Sequence, residues 1–140
     1  MCNASIVYGP DELRTEWKII DLDFVDRACT PYRPESMTYF NKVRWAAVND
    51  ALLLALRQAQ DDPHDAFPSL ARFAKGLRRR DRPALSLMLS EPITAFPGQI
   101  TNGIHRLTAM RGQGIRWTVG YYLVDDEGGT WMRSIDEEPF

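Results

Sequence analysis

Apolar and polar residues along the chain form a short series of distinct patterns. In Trp17-Lys-Ile-Ile-Asp-Leu-Asp-Phe-Val-Asp26, apolar Ile20, Leu22 and Phe24 alternate with Asp21 and Asp23. Period two predicts a strand with one face buried. Asp11–Glu16, after Gly9-Pro10, reads as a short helical turn. Pro31 and Pro34 then break the chain, because each removes an amide donor and restricts its neighbour. Residues 36–60 read as one helix with Ser36 as N-cap and Pro63 beyond its end. Phe40, Val43, Ala47 and Leu54, with Val48, Leu52 and Ala55, give it a wide apolar face, so it is expected to pack on more than one side. A second helix carries Leu70, Phe73, Ala74 and Leu77 at helical spacing, with Arg72, Lys75 and Arg79 on its polar side.

The second half alternates more quickly. Leu85–Leu89 lies between Pro83 and Pro92 and reads as a short strand. Residues 98–103 read as a strand ending in an Asn-Gly turn, and 104–112 as a short helix stopped by Gly112-Gln-Gly114. Arg116–Val124 is rich in β-branched and aromatic residues and is the clearest strand. Asp126-Glu-Gly-Gly129 turns the chain into a last hairpin arm over Thr130–Arg133, followed by a loose acidic tail, Asp136–Phe140. The resulting class is α+β: one small domain over 1–140 with a mixed β-sheet and three main helices. Its core is expected over about 17–124, with the hairpin and tail at 125–140.

The chain has 140 residues, enough for one domain with a true core. Its longest apolar stretch, Ala51–Leu56, falls far short of the ~20 residues that span a bilayer. No basic-then-apolar pattern opens it, so the expectation is a cytoplasmic protein that does not enter a membrane. A net charge of −2, from 17 basic and 19 acidic residues, makes nucleic acid an unlikely main ligand. Two cysteines, Cys2 and Cys29, cannot form a disulfide scaffold, and two histidines make a His-rich metal site improbable, so no metal ligand set is assigned.

The most informative segment is Ile100–Val119. It reads as a strand, a tight turn at Gly103, a helix N-terminus at His105-Arg106, a glycine stop and a strand. A helix N-terminus offers amides and partial positive charge to an anion. Gly103 lets the backbone approach closely, and Arg106 adds a planar fork matched to phosphate oxygens. On spacing alone, Arg106 can equally be a solvated helix residue and His105 a local packing residue.

Asn102-Gly-Ile-His-Arg-Leu-Thr-Ala109 resembles the Gly-x-His-Arg-x-x-Ala segment of the ParB/sulfiredoxin superfamily. Ile19–Asp26 and Pro31-Tyr-Arg-Pro34 resemble the entry strand and proline loop of ParB N-terminal domains. The resemblance implies a ParB/sulfiredoxin-like fold and a phosphate cradle built from Asn102, Gly103, Ile104, His105 and Arg106. The implied ligand is a nucleotide, ATP or CTP, with Mg²⁺, or another phosphorylated small molecule. Phosphoryl transfer or phosphoester hydrolysis would follow, with Asp23 and Glu91 as candidate catalytic carboxylates. Ile104 stands where sulfiredoxin has its reactive cysteine, so reductase chemistry is not expected. Ile104 and His105 also replace the Glu and Arg usual in CTP-binding ParB proteins.

Two other readings compete. The chain can be a non-catalytic protein-binding accessory, of phage or mobile-element type, that engages a protein partner through its aromatic and acidic C-terminal segment. It can also be a ParB-like nuclease or DNA-binding protein, against which the net charge counts. The basic run Arg78-Arg-Arg-Asp-Arg82 fits either a polyanion or the favourable placement of cations at a helix C-terminus.

Overall fold

A computed structural model describes residues 14–23, 37–59, 71–96, 99–124 and 132–140. Two eight-residue strands, β1 (Arg14–Asp21) and β4 (Trp117–Val124), pair antiparallel along their full length, from Arg14↔Val124 to Asp21↔Trp117. On one side of this pair, β2 (Thr94–Phe96) runs parallel to β4, and β3 (Gln99–Asn102) returns antiparallel to β2. On the other side, β5 (Met132–Ser134) pairs antiparallel with β1. The order β3-β2-β4-β1-β5 makes one mixed sheet, and with its helices the fold class is α+β.

The strand at the entry is longer upstream than its alternation suggests and is not half-exposed. Arg14–Glu16, expected to be helical, are paired with β4. Ile19 and Ile20, which point to opposite faces, are both 0% exposed. Phe24–Asp26 and both cysteines lie outside the described residues, as do Ser36 and the proline loop.

The single helix expected over 36–60 is two: α1 (Met37–Phe40) and α2 (Trp45–Ala59). Lys42 and Val43 donate to carbonyls three residues back, Tyr39 and Phe40, which tightens and ends α1. The first amides of α2 are then held by side chains distant in sequence. Arg44 N–H donates to Asp81 Oδ1 at 3.1 Å, and Trp45 N–H to Gln113 Oε1 at 3.3 Å. The wide apolar face holds, with Trp45, Val48, Leu52, Leu53 and Leu56 all buried, although Leu54 is 47% exposed. Asn49 is buried as well. It donates to Trp117 O and accepts from Thr118 Oγ1, both at 2.8 Å, which fixes α2 on β4.

Of the second helix, α3, residues 71–74 are described. The segment expected to be a strand, Leu85–Leu89, lies in a helix, α4 (Arg82–Ser90). Five alternating residues fit either period. Pro83 sits in the first turn, where its missing N–H costs nothing, and Ala84, Leu85, Met88 and Leu89 form one buried stripe. The last helix, α5 (Ile104–Gly112), matches its expected span. No helix among the described residues is long and apolar enough to cross a membrane.

The basic run forms a clasp. Arg78 grips the buried carboxylate of Asp81 with Nε and Nη2 at 2.9 and 3.0 Å, and the same Nη2 lies 3.0 Å from Lys42 O. Arg82 Nε donates to Ala74 O and Leu77 O, capping the carbonyl end of α3. Tyr39 OH donates to Arg80 O at 2.6 Å.

Among the described residues of the expected hairpin arm, Met132–Ser134 pair with β1 rather than β4. The tail is not loose. Arg57 donates to Ile135 O and Glu137 O, both at 2.6 Å, and Arg133 donates to Glu138 O at 2.9 Å. The Arg133 guanidinium stands 4.3 Å above the Phe140 ring, and Phe140 packs on the core.

Arg57→Ala is expected to cost about 1–3 kcal/mol through its two charged hydrogen bonds. Removal of residues 135–140 should lower Tm by a similar energy, and an unchanged Tm in both would show the tail is not part of the fold. The Arg78 hydrogen bonds, with the Arg44 N–H, hold the Asp81 carboxyl below its usual range against the effect of burial. Its folded pKa is depressed, so its contribution is complete above the unfolded value of about 3.9 and disappears as pH falls through the folded value. Asp81→Asn should therefore destabilise by about 2 kcal/mol at pH 7. In urea unfolding, that difference from the unsubstituted protein should shrink on acidification below about pH 4.

Candidate functional site

The connection between α4 and β2 carries the geometry of the turn. Pro92 O accepts from Asn102 Nδ2 at 3.0 Å and from Thr94 Oγ1 at 3.1 Å. The end of β3 is thereby fixed to the start of β2. Gly103 follows in a left-handed conformation, φ +99°, which glycine adopts without a Cβ penalty. A Cβ there would also meet Ile93 Cγ1 at 2.7 Å and Arg106 Nη2 at 3.2 Å. The residue must be glycine for its backbone angle and for the space above it. The first α5 bond runs from Leu107 N–H to Gly103 O at 3.0 Å, so the amides of Ile104, His105 and Arg106 precede the intrahelical ladder.

Arg106 is not a solvated helix residue. It is 4% exposed, and its guanidinium folds back along the first turn toward Gly103. Its hydrogen bond is to a thioether, Nη1 to Met88 Sδ at 3.5 Å, a weak acceptor for a charged donor. Burial pulls the guanidinium down to about 10, while Glu91 pulls the other way. It therefore remains a cation at neutral pH, enclosed by apolar neighbours. Ile104 and His105 on the same turn are half-buried, and Asn102 is exposed.

The two candidate carboxylates part company. Glu91 follows the last turn of α4, is exposed, and lies close enough to act on Arg106 by its charge. Asp23 is at the other end of α5. It faces Arg116 Nε at 3.7 Å, with Asp21 at 3.8 Å from the same nitrogen. Arg111, in the last turn of α5, donates to Leu22 O at 3.1 Å, which places this acidic corner beside the helix C-terminus. Nine helical residues at 1.5 Å each leave roughly 13 Å between Asp23 and the Gly103 turn. The two candidate carboxylates, Asp23 and Glu91, therefore lie toward opposite ends of α5 and do not converge. Among the described residues, no group of three or more His, Cys, Asp or Glu is placed to hold a metal ion.

Sequence reasoning missed Met88, Ile93 and Trp17. Met88 was hidden by the misread period of α4. Ile93 O accepts from Tyr121 N–H at 2.7 Å, which brings Tyr121 to the turn's end of β4, whereas Trp117 sits at the opposite end. The Tyr121 ring lies 4.6 Å from that of Trp17, a buried indole whose Nε1 has no hydrogen-bond partner among the described residues. No local signal marks any of the three, because each role depends on a neighbour far away in sequence. Neither a protein-family model, a curated protein nor a solved structure matches the chain.

Proposed function

We propose that the chain is a ParB/sulfiredoxin-like domain that binds the phosphate of a nucleotide, or of another phosphorylated small molecule, at the Asn102–Arg106 turn. The observation that carries this reading is the buried Arg106 guanidinium, which faces the N-terminus of α5 with a thioether as its acceptor. A buried cation without a bonded carboxylate is costly to the fold, and an anion seated at the turn offsets that cost. The α5 amides, the helix dipole and the cation all favour the same negative ligand. The absence of a side chain at Gly103 lets Ile93 and the Arg106 guanidinium approach the turn closely. The mixed sheet and the strand–turn–helix–strand order around Gly103 support the fold assignment.

ATP or CTP with Mg²⁺ is the ligand class that follows from this reading. The nucleotide's own phosphates would supply most of the Mg²⁺ ligands. Glu91 is the carboxylate at the turn suited to complete the shell or to orient an acceptor, while Asp23 is too distant for either role.

The test is a thermal-shift and calorimetric screen against nucleoside tri- and diphosphates and inorganic phosphate, with and without Mg²⁺. A ligand at 100 times its Kd raises stability by about 2.7 kcal/mol. Arg106→Met should abolish that shift while leaving the ligand-free protein as stable as before or more so, because it removes a poorly compensated buried charge. A folded Arg106→Met that still binds would overturn the assignment. A loss of more than about 3 kcal/mol without ligand would make Arg106 a structural residue. Glu91→Gln removes an opposing charge beside the anion and should tighten phosphate binding about twofold. Any nucleotide hydrolysis should fall in the same variant.

A further inference from the structure

We infer that the protein carries a second anion surface, distinct from the Gly103 turn, that docks on the phosphodiester backbone of a nucleic acid. Between Arg72 and Arg82 lie six of the 17 cations and one of the 19 acids, leaving that stretch at +5 and the rest of the chain at −7. The single acid does not screen the surface. Asp81 is 1% exposed and its carboxylate is already bound by Arg78. Asp61, Asp62 and Asp65 precede the stretch and lie outside the described residues.

The fold adds cations from a second segment. Arg78 Nη2 donates to Lys42 O, Asp81 accepts from Arg44 N–H, and Tyr39 OH donates to Arg80 O. The α1–α2 loop and the α3–α4 connection are thus locked side by side. Lys42, Arg44, Arg72, Lys75, Arg79 and Arg80 are all exposed, and none makes an ion pair among the described residues. Arg72 is partly held by the Phe73 ring, 5.7 Å from its guanidinium carbon.

Six cations of one sign on a pre-ordered backbone match a ligand whose own charge repeats at short intervals. Duplex DNA carries a negative charge per about 1.7 Å of axis, so several phosphates can meet this surface at once. Four of the six are arginines, whose forks fit phosphate oxygens. Acidic protein surfaces seldom reach that density. Such contacts position without reading sequence, so binding is expected to be sequence-independent. The overall charge of −2 limits affinity and makes it depend strongly on salt. Residues 82–90 of α4 separate this surface from Glu91 by about one helix length, roughly 13 Å, and Arg106 meets α4 at Met88, in the far half of that helix.

The experiment is fluorescence anisotropy with a labelled duplex of about 20 base pairs and arbitrary sequence, between about 50 and 200 mM salt. Binding is expected at low salt, with a log–log slope of about −3 to −5, equivalent to roughly 60- to 1,000-fold weakening across that range. The double variant Arg79→Glu/Arg80→Glu should lose at least about tenfold in affinity with an unchanged Tm, since neither side chain takes part in the clasp. Arg106→Met should bind the duplex as the unsubstituted protein does. Absent binding at low salt, undiminished binding by the double variant, or loss in Arg106→Met would each overturn the inference. Competition by poly-glutamate as effective as by unlabelled duplex would also overturn it, and would assign the surface to an acidic polypeptide.

Discussion

The structure around the candidate site depends on the close approach of Ile93 to two glycines. Its side chain occupies the space above Gly103, where a Cβ would come within 2.7 Å. Its carbonyl faces Gly120, where a Cβ would come within 2.6 Å, and accepts the Tyr121 amide beside it. These contacts fix the parallel pairing of β2 with β4, the left-handed turn at Gly103 and the start of α5. Ile93 is wholly buried, so the arrangement is a packed one and resists adjustment. A side chain at either glycine would force the α4–β2 connection outward and take the Arg106 environment with it.

Two buried charges are answered by their surroundings to different degrees. Asp81 is enclosed but fully answered, by the fork of Arg78 and the amide of Arg44. Its charge is favoured in the folded state, and the group joins α1, α2 and α4 at one point. Arg106 is enclosed to a similar degree but receives a sulfur atom and the field of an exposed Glu91. Burial lowers its proton affinity, whereas the salt-bridge partner raises that of Arg78. The fold therefore gains little from the charge of Arg106, and the proposal that the turn binds an anion rests on this contrast.

What was legible in the sequence follows the range of the forces involved. α5 and β4 were readable because their signals are local: a glycine before and after the helix, then a run of β-branched and aromatic residues. The turn residues 102–106 were found for the same reason. The break between α1 and α2 was not readable, since it is enforced by Asp81 and Gln113, 37 and 68 residues away from the amides they hold. The periodicity of Leu85–Leu89 is ambiguous, and Pro83, which can bound a strand, here starts a helix. The partner of β5 and the docking of the tail rest on Arg57 and β1, which no turn signal near residue 130 reveals. At the site, the burial of Arg106 and the separation of Asp23 from Glu91 are consequences of packing alone.

Net charge is a sum over the chain, whereas a ligand meets a surface. The value of −2 describes neither end of this molecule. The acids that outnumber the bases include Asp136, Glu137 and Glu138 in the tail, which Arg57 ties to the end of α2 opposite the clasp, and Asp21 and Asp23, which face Arg116. The one acid inside the basic run is turned inward and neutralised. The clasp that orders the α1–α2 loop thus also removes the charge that would have screened the cations beside it. At an ionic strength where fields decay within about 10 Å, that local balance governs association more than the total does.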